Sequence, residues 1–96
     1  MTLKERYLLV DPFQGSIIRY ETMEDYPKKA KEITPLSIVK GIKIVPEEEK
    51  SWHMKKEYVY FMIEEPNKEI YACKYGHTAQ KWVSNLTLAV KFSAEL

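Results

Sequence analysis

The hydrophobic pattern of this chain changes period once, near Gly76. Beyond that point Ala79, Trp82, Val83, Leu86, Ala89 and Val90 fall on one stripe at helical spacing. Ahead of it the apolar residues come in short runs, rich in β-branched and aromatic types. One amphipathic helix after a series of antiparallel strands must bury its stripe on something. The natural target is the open end of a small barrel or sandwich, whose apolar interior would otherwise meet water. The 96 residues suit one domain of this kind.

The runs and their punctuation predict strands at about 5–11, 16–21, 33–37, 38–45, 57–63 and 69–74, and a helix at about 77–92. Asp11-Pro12-Phe13-Gln14-Gly15 reads as the turn of a first hairpin, because proline presets one φ angle and Gly15 can supply a positive one. Residues 22–32, with Pro27 and mixed charge, read as a loop. Gly41 marks a bulge or bend in the fourth strand. Pro46 to Lys56 is a charged loop holding Trp52. In 57–63 the residues Tyr58, Tyr60 and Met62 alternate with Val59, Phe61 and Ile63, so the first set is expected to face solvent.

Composition removes several classes. Lys and Arg number 15 against 14 Asp and Glu, a net charge of +1, so a broadly basic nucleic-acid binder is not expected. The charge is uneven, with acidic excess between residues 46 and 70 and basic excess on either side, so any electrostatic role is local. A single cysteine excludes an intramolecular disulfide framework and a multi-cysteine zinc cage, and fits a reducing compartment. No apolar run approaches membrane-spanning length, and Met1-Thr2-Leu3-Lys4-Glu5 does not read as a signal peptide. The expected location is the cytoplasm, including the cytosolic face of a membrane.

Catalysis and metal binding find little support. His53 and His77 lack the spacing of a metal pair, and Cys73 sits in a strand as an expected buried, inert thiol. Glu47-Glu48-Glu49 reads as a solvated run. Asn85-Leu86-Thr87 matches a glycosylation sequon but falls in the predicted helix. No nucleophile–base pair or phosphate-cradling glycine loop is present, so the chain is not expected to be an enzyme or to carry a cofactor or metal.

Specific residues resemble the pleckstrin homology (PH) family. Lys4-Glu5-Arg6-Tyr7-Leu8-Leu9-Val10 is similar to its second strand, and Ile17-Ile18-Arg19-Tyr20 to its third. Ile33-Thr34-Pro35-Leu36 resembles the fourth, and Phe61-Met62-Ile63 and Tyr71-Ala72-Cys73 resemble the last two. Trp82-Val83 falls where the family keeps its helix tryptophan. The resemblance spans roughly residues 4–92 and implies a mostly β fold. It would be a barrel of two near-orthogonal antiparallel sheets, capped by a C-terminal helix, with Trp82, Phe61 and Leu86 in the core. Only Met1 to Leu3 precede Lys4, so the family's first strand has no counterpart within these residues, whether this sequence begins late, the pattern diverges or another segment supplies that strand. The expectation is six strands and an exposed sheet edge, which invites strand addition by a partner or a second copy.

The resemblance further implies a non-catalytic targeting or scaffolding module of a larger cytosolic protein. Its phosphate site would use Lys4, Arg6 and Tyr20, with Lys28, Lys29 and Lys31 beside the same mouth. Lysine supplies a point charge, arginine a bidentate fork and tyrosine a hydroxyl. The partner would be a phosphoinositide or an anionic membrane surface, bound weakly because the first-strand lysine is missing. The competing expectation is a protein-interaction or self-association module without lipid. It would use the open edge and the Ser51-Trp52-His53-Met54 loop, with Trp52 and Met54 as partner anchors.

Overall fold

A computed structural model describes residues 3–95. The chain forms two three-stranded antiparallel sheets and one C-terminal helix. Strands β1 (Tyr7–Asp11), β2 (Ser16–Tyr20) and β3 (Glu32–Pro35) make the first sheet in that order. Strands β4 (Lys43–Ile44), β5 (Val59–Ile63) and β6 (Glu69–Cys73) make the second. Helix α1 spans Gly76–Glu95 and packs against strands of both sheets. Among the described residues no ladder joins one sheet to the other, so they do not close into a barrel.

The first hairpin forms where its turn residues place it. The Asp11 carboxylate accepts hydrogen bonds from the backbone N–H groups of Phe13 and Gln14, each at 3.1 Å. Gly15 takes φ of +68° and hands the chain to β2. Helix α1 buries Ala79, Leu86 and Ala89, with Trp82, Val83 and Val90 half-buried beside them, as its stripe predicts. These meet Ile17, Leu36, Val39, Phe61, Ile63 and Cys73 in the main core.

Two expectations are corrected. The predicted strand at 38–45 shrinks to two residues, and the 33–37 strand ends at Pro35. Leu36–Ile38 is a single 3-10 turn, and Gly41 takes φ of +72°. The bend sends Val39 and Ile42 both to the core, three positions apart, and a straight strand cannot do that. Alanine at Gly41 would set its Cβ 2.6 Å from Glu64 Cβ, so the bend is reserved for glycine twice over, by sterics and by φ.

The second correction concerns β5. Tyr60 and Met62 are buried, not solvent-facing. With Val45 they form a second apolar cluster on the outer face of their sheet, and Met54, Tyr58 and Ala72 pack against it. The 46–58 loop roofs this face. The Lys55 backbone N–H donates to the Tyr60 hydroxyl at 2.9 Å, and Lys43 on β4 pairs with Glu49 in the loop at 3.5 Å.

Candidate functional site

The register of each sheet decides which backbone groups remain free. The Val45 N–H donates to the Tyr60 carbonyl, and the Lys31 N–H to the Arg19 carbonyl. In antiparallel strands the N–H and C=O of one residue point the same way, and the direction alternates along the chain. Tyr60 and Met62 therefore face β4, and Phe61 bonds to Tyr71 on β6. Ile70 and Ala72 then turn their backbone groups away from β5. By the same alternation Ile18 faces β1, which leaves the backbone groups of Leu8 and Val10 on the outer edge of β1.

The Leu8 end of the β1 edge and the β6 edge line one groove. The segment 3–8 forms one wall and β6 the other, around a cavity of about 820 Å³. Phe61, Tyr71 and Trp82 contribute to its apolar lining. The Phe61 ring is stacked with Tyr71 at 5.2 Å and with Trp82 at 6.1 Å between centroids. Trp82 is thus a core-packing residue that stays half-exposed, because it also lines this seam. A second groove of about 640 Å³, lined by Val10, Pro12, Trp82, Leu88 and Phe92 among others, lies between β1 and α1.

A polar node ties the two sheets beside the seam. Arg19 on β2 pairs with Glu69 on β6, donates to the Thr34 hydroxyl at 2.7 Å, and reaches the Tyr71 hydroxyl at 3.4 Å. Glu32 lies 3.4 Å away as a second carboxylate. Burial opposes the Arg19 charge, but the Tyr71 and Glu69 oxygens outweigh it and hold its pKa above the ordinary value. Burial pushes the Tyr71 phenol up, with Arg19 working in the opposite direction. Sequence reasoning missed this node. Arg19 was legible only as a strand residue, and its partners lie up to fifty-two positions away.

The residues of the expected phosphate site differ in exposure. Lys4 and Arg6 are exposed on the rim of the seam. Tyr20 is 4% exposed, its hydroxyl donates to the Pro27 carbonyl at 3.5 Å, and its ring meets Tyr26 edge-on. It is therefore placed as a buried packing residue. Lys28, Lys29 and Lys31 are exposed on the loop after β2, at the same end of the first sheet as Lys4 and Arg6. Glu21, Glu24 and Asp25 share that loop and dilute its charge. At the start of β1 the Glu5 carboxylate accepts the Tyr7 hydroxyl at 2.9 Å, which raises the Tyr7 pKa.

The expected partner anchors separate. Met54 is half-buried under the second cluster, while Trp52 is 95% exposed. Trp52→Ala is expected to change folding stability by less than about 0.5 kcal/mol, the usual range for surface positions. Met54→Ala is expected to cost about 1–2 kcal/mol through lost packing. Urea denaturation of both variants checks the contrast, and equal costs would contradict this loop placement.

Among the described residues no group of three or more His, Cys, Asp or Glu is placed to hold a metal, and no helix is long and apolar enough to cross a membrane. No family model matches the chain, and no curated protein or solved structure matches it significantly.

Proposed function

We propose that this chain is a non-catalytic protein-interaction module of PH-like build, which receives an extended segment of another chain in the seam between its two sheets. The observation that carries this reading is the pair of outer edges, with backbone groups of Leu8, Ile70 and Ala72 that have no partner among the described residues along one aromatic-lined groove. Unpaired N–H and C=O groups beside an apolar floor offer main-chain bonds and side-chain pockets together, the two components of β-strand addition.

Selection from a displayed library of random decapeptides tests the reading. Enriched peptides are expected to bind the wild-type protein and to lose binding to Ile70→Pro. That substitution removes an outward N–H without touching the ladder to β5. No enrichment over a blank surface, or binding indifferent to Ile70→Pro, would overturn it. The membrane alternative draws on Lys4, Arg6, Lys28, Lys29 and Lys31, which make no salt bridge among the described residues. Vesicles with and without phosphoinositide provide its arm. Binding to them that disappears in Lys4→Ala/Arg6→Ala would replace the peptide reading by the lipid one.

A further inference from the structure

We infer that the seam selects an extended partner segment carrying acidic residues at one end, hydrogen-bonded along β6 and facing Lys4 and Arg6 across the groove. The inference rests on the interaction reading above and names the chemistry of its partner. Residues 69–73 all line the groove, so β6 supplies the hydrogen-bonding wall, through Ile70 and Ala72. Its odd-numbered side chains turn inward. Tyr71 and Cys73 pack on the main core, and the stacked Tyr71, Phe61 and Trp82 rings form the apolar floor. A strand added to β6 would lay every second side chain on that floor.

The charge on the opposite wall sets the preference. Lys4 and Arg6 have no carboxylate partner among the described residues, and the Arg6 side chain bonds only the Glu5 carbonyl, at 3.0 Å. Of the acidic groups lining the groove, Glu69 is paired with Arg19, and Glu5 keeps its negative charge while accepting the Tyr7 hydroxyl. The Lys4–Glu5–Arg6 end of the groove therefore carries one net positive charge, on two cations without a salt-bridge partner among the described residues. A carboxylate at that end of the partner gains charge-assisted hydrogen bonds, while a lysine there meets like charge.

Three synthetic decapeptides test this, each alternating Val and Thr, and ending in two Asp, two Lys or two Ser. The acidic peptide is expected to bind about tenfold more tightly than the lysine one at low salt, a margin that narrows as salt rises. Lys4→Glu/Arg6→Glu is expected to erase or reverse the preference, and hydrogen exchange at the Ile70 and Ala72 amides is expected to slow on binding. A Trp52→Phe background leaves Trp82 as the sole tryptophan, and its emission is expected to change. Equal binding of all three peptides overturns the charge selection and leaves the seam reading standing. Acidic binding that survives Ile70→Pro without slowed exchange is surface adhesion and overturns the strand geometry. If none of the three binds, the inference falls, and the library selection decides the wider reading.

Discussion

Arg19→Met is expected to lower folding stability by about 3 kcal/mol, far more than removing any other cation of this chain. Arg19 is 12% exposed and Glu69 24%, so solvent cannot replace the lost partner well. Methionine keeps most of the side-chain volume but leaves Glu69 beside β6 without its counter-charge, and deprives Thr34 and Tyr71 of their donor. Breaking a buried pair from one side is costly because the remaining charge stays desolvated. Removing both charges should cost less. Arg19→Met/Glu69→Gln is expected to recover at least half of the loss in urea denaturation. A double variant as unstable as the sum of its singles would show that the pair is not coupled. Lys43 provides the contrast. Its bridges to Glu64 and Glu49 are solvent-exposed, and Lys43→Ala is expected to change stability little.

Phe61→Ala carries the other large effect, about 3–5 kcal/mol. Phe61 is 1% exposed, lies at the centre of the main core, and holds the stacked rings of Tyr71 and Trp82 in place. Its loss empties the floor of the seam as well as the core. Trp82→Ala is expected to cost less, about 2 kcal/mol, because part of the indole already faces the groove and its burial is incomplete. The order of the two midpoints in thermal or urea unfolding is the check. A Trp82 variant less stable than the Phe61 variant would make the tryptophan, not the phenylalanine, the keystone of the aromatic stack.

How far the sequence reading reached follows from the range of the interactions involved. Helix α1 was legible because Ala79, Leu86 and Ala89 recur within one element, and period is a local signal. The first hairpin was legible because Asp11 and Gly15 carry their own turn chemistry. The 38–45 segment was misread because the left-handed Gly41 shifts the inward phase partway along it, so Val39 and Ile42 share a side that strict alternation would separate. Tyr60 and Met62 were assigned to solvent because alternation says only that two sets face opposite sides. It does not say that a loop thirteen residues long covers the second side. The open edge at β1 was expected, and among the described residues β1 is an outer strand of its sheet. The other edge of the seam, at β6, depended on two sheets meeting and had no local signal. For Tyr20 the residue type was compatible with a phosphate ligand, and only packing against Tyr26 and Pro27 removed it from the rim.

Trp82 belongs to the walls of both the seam and the groove beside α1. One side chain is therefore a party wall between two surface grooves, and a substitution that shortens it is expected to open both at once. Neither groove can be reshaped at this position without the other.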